Sequence, residues 1–410
     1  MKKLFAMLLA LIMVLSMAAC GAQTPAETPE TDAPVAEAPK TDAPAAEPAA
    51  PEVNKKVALI LQAGGLGDQG FNDTAYAGLV ECKDQYGLEI NYVECADATQ
   101  GETLIRELCE AGYGLVINLE ASISANMYHV ALDYPESKFV AVGRQLRINA
   151  VDGITETPAN VHESYITLNE HSFLAGVAAA FVATEGNGIV DGLGGKDGCN
   201  IGVLFGADSV GFYQYGDGFR QGALYYNPDA NVYMDFTVGF SDTANAQNIA
   251  ENMIKTMGCD VIWTCCGTAG LGGLEAVRLN TAYGIGVDSN QDEVQPGNML
   301  TSAVRDNASL IKFYVEKYLA GDMAQTEPDV FNPTNGGVNI TDMTVIEKYV
   351  TNAEKFAELK AVMDQTRQWI AEGKIEVFDA RMASIEANGQ RLDDWMATSG
   401  KFVTYAELNK

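Results

Sequence analysis

Gly65-Leu-Gly-Asp-Gln-Gly70 follows an apolar run and fits G-x-G-x-x-G, and Glu94 closes the next such run. After a strand, that spacing lays a pyrophosphate on a helix N-terminus and offers an acid to a ribose hydroxyl. Here Gly70 leads directly into Phe71-Asn72, where Asn suits a helix cap. The chain also opens like an exported protein, away from nicotinamide pools. The loop therefore reads as a Gly-rich turn that touches a ligand. Asp288-Ser-Asn-Gln-Asp292 starts like a calcium loop, but Glu293 stands at the obligatory glycine and Met299 at the closing glutamate. Gly194-Gly-Lys-Asp197 lacks the hydroxyl that would hold magnesium, and no Gly-x-Ser-x-Gly elbow occurs. The seven cysteines besides Cys20 form no Cys-x-x-Cys, and His129, His162 and His171 add no zinc spacing. The residues point to no metal, no cofactor and no enzyme, and to binding without chemistry.

The elements around these loops alternate. Val57–Leu61 is a short apolar run of the kind buried on both faces of a parallel sheet. A helix is predicted over Asn72–Tyr86, then strands near 88–94, 114–119 and 138–142 with helices between them. A second series begins near 170. It has a helix over Ser172–Ala183 and strands at 201–205, 231–238, 260–263 and 283–287, again spaced by helices. Two runs of βα units of similar length imply two doubly wound α/β lobes. Another strand (Leu300–Val304) and a helix with Ile311, Tyr314, Val315 and Tyr318 inward follow, and the last ~70 residues read as amphipathic helix. Ligands in such sheets sit beyond the carboxyl ends of the strands. Those positions hold Gly64–Asn72, Glu120-Ala-Ser122, Gly143-Arg144, Gly206-Ala-Asp208, Cys265–Thr268 and Asp288–Asp292. In the aromatic cluster of residues 212–226, Tyr215, Phe219 and Tyr226 are spaced to line a sheet. Phe212 or Tyr213, at the helix start, is placed to stack on a flat ligand.

The chain of 410 residues carries 26 basic and 55 acidic side chains, a net charge of −29. That excess repels phosphate backbones and anionic lipid, which excludes nucleic acid as a partner. Membrane attachment has to come from the N-terminus. Lys2-Lys3 and the apolar run Leu4–Ala19 are too short for a bilayer span and read as an export signal. The signal ends in Ala18-Ala-Cys-Gly21, which resembles the lipobox of bacterial lipoproteins, with Cys20 as the acylated (palmitate-bearing) residue. Residues 21–54 contain seven of the 13 prolines, seven acids and one lysine, without apolar periodicity. Such a segment buries no core and reads as an extended, self-repelling spacer.

The ordered loops resemble the basic membrane protein family, nucleoside-type substrate-binding lipoproteins of ABC transporters. The resemblance runs from about 57 to about 377. It is carried by Gly67-Asp-Gln-Gly-Phe-Asn72, Glu170-His-Ser-Phe-Leu-Ala-Gly176, Gly218-Phe-Arg-Gln-Gly222, Gly267-Thr-Ala-Gly270, Gly286-Val-Asp-Ser-Asn-Gln291 and Leu300-Thr-Ser-Ala-Val-Arg305. It implies a type I periplasmic-binding fold, two lobes joined by three hinge crossings. The implied division is a signal over 1–20, a linker over 21–54, one lobe from 55–168 with 300–335, and the other from 169–299 with 336–400. By the resemblance, Asn72 hydrogen-bonds a base, Tyr76 supplies an aromatic face, Asp288 accepts from ribose hydroxyls, and Arg305 stands where a lysine is usual. Asp68, Phe71, Phe212 and Gly267 join them. Glu120 and Arg144 depart from the family pattern and point to a polar, even anionic, nucleoside-like ligand.

The expected protein is a monomeric, lipid-anchored receptor on the outer face of the cell membrane. It closes over a nucleoside-like ligand and delivers it to an ABC permease with a separate ATPase. A sensor that docks to a signalling receptor, and an exported dinucleotide-dependent enzyme, are the competing readings. The enzyme lacks a nucleophile–base pair and a cofactor supply.

Overall fold

Strand β1 (Lys56–Leu61) sets five buried apolar residues in a row, the pattern of a central parallel strand covered on both faces. It lies between β2 (Glu89–Glu94) and β3 (Leu115–Asn118), and β4 (Lys138–Ala141) and β5 (Val161–Ile166) extend the sheet. The computed structural model describes residues 53–410 apart from 96, 149, 195, 197, 387 and 388. The export signal, Cys20 and nearly all of the linker lie outside the described residues.

Helices α1 (Phe71–Tyr86), α2 (Gly101–Glu110) and α3 (Ser124–Asp133) connect these strands. Helix α1 stops at Gly87, whose left-handed backbone (φ 65°) lets its N–H return to the Lys83 carbonyl. The second lobe opens with α4 (Leu168–Ala183), in which every residue but Glu170 is buried. A helix apolar all round belongs in the interior. It packs on α5 (Val210–Tyr226) with almost no side-chain spacing between them. A Cβ on Gly176 would fall 2.0 Å from the Phe219 carbonyl oxygen, and one on Gly222 2.0 Å from that of Phe173. These glycines let the two backbones touch.

The second sheet is built from β6 (Asn200–Phe205), β7 (Asn231–Asp235), β8 (Val261–Cys265), β9 (Tyr283–Asp288) and β10 (Met299–Arg305), with α6 (Thr243–Lys255) and α7 (Gly270–Leu279) as connections. Strand β10 departs from the expected division. The sequence reading put residues 300–335 in the first lobe, yet β10 runs parallel to β9 in the second sheet. The chain changes lobe after Arg305, not before it. Helix α8 (Asn307–Leu319) then packs on α1, and β11 (Asp329–Phe331) pairs with β5. The chain returns through β12 (Val338–Ile340), antiparallel to β10.

The strand orders are 11-5-4-3-1-2 and 12-10-9-8-6-7, two copies of one doubly wound plan. The chain passes between them three times, at Thr167, at Asp306 and over 332–337, giving the expected three-crossing hinge. The C-terminal helices α9 (Thr344–Glu347), α10 (Ala353–Ala371), α11 (Ala380–Glu386), α12 (Leu392–Ser399) and α13 (Tyr405–Leu408) complete the chain. Among them α10 packs on α4, while α11 and α13 pack on α5. The seven described cysteines are all buried, unpaired thiols.

Candidate ligand cleft

The carboxyl ends of both sheets face a shared cavity of about 380 Å³, within the range of small-molecule sites. In the first lobe, the turn after β1 is shaped by Asn72 and Asp68. Asn72 Oδ1 accepts from the Gln62 N–H at 2.9 Å, and its Nδ2 donates to the Gly65 and Gln62 carbonyls at 3.0 and 3.3 Å. The Asp68 carboxylate accepts from the N–H groups of Gly70, Asn72 and Asp73 at 2.9, 2.9 and 3.2 Å. These bonds satisfy donors that the first turn of α1 leaves unpaired. Burial first, and Asp73 last, raise the Asp68 carboxyl above its usual range, against three backbone donors that lower it. Both residues border the cavity, but their polar atoms are committed to the loop. That differs from a base-binding amide at Asn72.

Phe71 enters the cavity from the first turn of α1, and the Arg305 guanidinium lies 4.7 Å from its ring centroid. Arg305 ends β10, immediately before the second hinge crossing. It is 8% exposed, and its Nε has no hydrogen-bond partner among the described residues. Arg144 follows β4 through Gly143 and borders the cavity. Burial pulls its pKa down, against the nearby Glu120 carboxylate and Tyr128.

Glu120 and Tyr76 do not line the cavity. The Glu120 carboxylate bridges the Ala63 N–H at 2.8 Å and the Ser122 N–H and hydroxyl at 2.8 and 2.7 Å, so it ties the loops after β1 and β3 together. Tyr76 lies one turn along α1 from Asn72, with its ring 4.8 Å from that of Tyr92 on β2. Both expectations are corrected: one side chain is spent on backbone, the other on the sheet edge.

From the second lobe come Phe212, Gly267 and Asp288. Phe212 contacts Phe205, Tyr215 and Phe240, and both Tyr215 and Phe240 also border the cavity. Tyr213 turns away, with its hydroxyl on Asp208 and its ring under the Arg391 guanidinium. Asp288 sits at the end of β9 with φ 63°, a strained conformation for a non-glycine residue. The Tyr215 hydroxyl donates to its Oδ1 at 3.3 Å. Burial, followed more weakly by Asp68, lifts the Asp288 carboxyl from an ordinary 3.8 to about 6, against the attraction of Arg305.

The sequence reading missed Arg381, at the start of α11. It is 6% exposed, borders the cavity, and donates to the Gly143 carbonyl. Its one signal in the sequence is an arginine in the largely apolar segment Val377-Phe-Asp-Ala-Arg-Met-Ala383. The lips of the two lobes also meet. The Ser289 hydroxyl and Gln291 Nε2, both beyond β9, donate to the Gln69 carbonyl on the first lobe, the latter at 3.3 Å.

The family model for PnrA-like ABC transporter substrate-binding proteins (Bmp) matches residues 55–370. The chain belongs to this family. As a Bmp protein it is 26% identical over 343 residues to the ABC transporter nucleoside-binding protein BmpA of Lactococcus lactis, covering 78% of this chain and 88% of that one. It is 28% identical over 266 residues to basic membrane protein A of Borreliella afzelii, covering 64% and 75%. Among solved structures it is similar to an ABC transporter solute-binding protein from Aeropyrum pernix (TM-score 0.66, 20% identity, 78% of this chain and 92% of that one). A second, from Conexibacter woesei, has TM-score 0.60 at 22% identity, covering 79% and 98%. At such identities these two bear on the fold alone. The family match over residues 55–370 makes the Bmp chain described here an ABC transporter substrate-binding protein.

Proposed function

We propose that this protein is a lipid-anchored receptor outside the cytoplasm that closes over one nucleoside-like molecule and delivers it to an ABC permease. The observation that carries the reading is the pairing of aromatic faces from both lobes, Phe71 and Phe212, with the Asp288 carboxylate around one cavity. Flat rings suit a base. A carboxylate on the rim accepts two hydroxyl donors from a cis-diol, which a neutral group does less well. Arg144 and Arg305 contact the remaining polar groups, Gly267 allows close approach of the ligand, and Asp68 and Asn72 hold the loop beneath Phe71. The Lactococcus relative, named as nucleoside-binding, supports the same ligand class.

Ligand bridges both rims, so it favours the closed arrangement, and the mechanism is a shift of population with no bond made or broken. The receptor works as a monomer beside a permease and a separate ATPase. Cys20 carries the lipid anchor, and the proline-rich segment spaces the binding body from the membrane. Titration calorimetry with purine and pyrimidine nucleosides tests the ligand class: one-to-one binding of at least one nucleoside is expected, and binding only of sugars or amino acids would refute it. For the anchor, Cys20→Ala should move the protein from the membrane fraction to the soluble fraction.

A further inference from the structure

From residue 53 onward the chain carries 48 acids against 23 bases, yet three arginines border one cavity. Arg144 follows β4, Arg305 ends β10, and Arg381 opens α11, so separate parts of the chain bring them together. The terminal nitrogens of Arg305 and Arg381 lie 3.8 and 4.0 Å from where a Cβ on Gly143 would stand. Gly143 is the residue before Arg144, which borders the same cavity and acts on Arg381 through space.

The neighbouring acids are engaged elsewhere for the most part. Asp68 serves three backbone N–H groups, and Glu120 two N–H groups and a hydroxyl while acting on Arg144 through space. Asp379 accepts from the Arg381 and Met382 N–H groups, the Tyr165 hydroxyl and Gln214. Asp288 faces Arg305 and Tyr215. Burial first, and then repulsion from Arg144, bring the Arg381 guanidinium down to about 10, against Tyr165 and Asp379 and with Arg305 adding to the repulsion. Buried like charges are costly unless an opposite charge joins them. The buried Arg305 Nε also has no partner among the described residues.

We propose that the ligand carries an anionic group, a carboxylate or phosphate, held by Arg144, Arg305 and Arg381, with Arg381 the specificity-determining residue. This deepens the nucleoside-like reading of the cleft and rests on it. Guanidinium forks match the paired oxygens of either anion. The bond from Arg381 to the Gly143 carbonyl fixes that fork in place and leaves its other N–H groups for the ligand.

Calorimetry on the wild-type protein with uridine, guanosine, their 5′-monophosphates, orotidine and inorganic phosphate tests the inference. At least one anionic nucleoside should bind ten-fold or more tightly than its neutral parent. Arg381→Gln, and separately Arg144→Gln, should reduce that ratio by about ten-fold. Neutral parents binding as tightly as every anionic derivative would overturn the anion while leaving the nucleoside reading intact. Tight binding of inorganic phosphate with no nucleoside bound would retain the clamp and overturn the nucleoside reading. Failure of every anion to bind overturns the inference, as does an unchanged ratio in both variants. The wild-type comparison stands even if a variant does not fold.

Discussion

The Arg305 guanidinium, at the end of a second-lobe strand, lies 4.7 Å from the ring centroid of Phe71 on the first lobe. One contact thus spans the cleft, borders the cavity and sits beside the hinge crossing at Asp306. Arg305→Lys keeps the charge but loses the planar fork and its stacking surface. Ligand affinity should fall about ten-fold or more by calorimetry, with the unfolding midpoint little changed. Unaltered affinity would remove Arg305 from the site.

Asp288 couples stability to function with opposite signs. Its native carboxyl is raised to about 6, so the folded state binds its proton more tightly than the unfolded one. Its ionisation therefore costs stability in full above pH 6, and the cost disappears as pH falls towards 4. Asp288→Asn should raise the unfolding free energy at pH 7 by up to about 3 kcal/mol, since Asn also tolerates the left-handed backbone. It should add little at pH 4 and weaken binding of cis-diol ligands at pH 7. In the wild type, diol affinity should decline as pH drops through 6. Denaturant melts and calorimetry at both pH values check the two signs.

The lip contact between Ser289 and Gln69 joins the lobes without lining the cavity. Ser289→Ala removes one hydrogen bond between the lobes, about 0.5–1.5 kcal/mol, and under the proposed closure it weakens the closed arrangement. Affinity should drop about 2- to 10-fold for every ligand alike, and the ligand-free radius of gyration from small-angle scattering should rise. A loss confined to one ligand would mean that Ser289 touches the ligand itself.

Gly176 tests the second lobe's interior. A Cβ there meets the Phe219 backbone at 2.0 Å, so Gly176→Ala must force α4 and α5 apart. Overpacking of this kind costs typically 1–3 kcal/mol, and the thermal midpoint should fall by several degrees. An unshifted midpoint would contradict the close helix contact.

Both sheets were legible in the sequence because buried parallel strands read as continuous apolar runs, as Val57–Leu61 and Ile201–Phe205 do. Cleft residues Phe71, Arg144, Gly267 and Asp288 followed from the rule that ligands sit beyond strand ends, whereas Phe212 came from the aromatic cluster at a helix start and Arg305 from the family resemblance. Strand β10 was recognised but put in the wrong lobe, because periodicity shows that a residue pairs and not with which sheet. Asn72 and Glu120 are polar residues at the right loops whose bonds go to backbone, a competition that residue type does not reveal. Arg381 escaped for a different reason. It reaches the cavity from a C-terminal helix that belongs to neither βα series, so no strand-end rule points to it.

Mass spectrometry of small molecules released from the purified wild-type protein is the most direct test of a cleft that grips one guest without altering it. The account predicts a single nucleoside-like guest bearing an anionic group, at one per chain, and lost from the Arg305→Ala protein. A neutral sugar or amino acid as the guest, or full retention in Arg305→Ala, would contradict it.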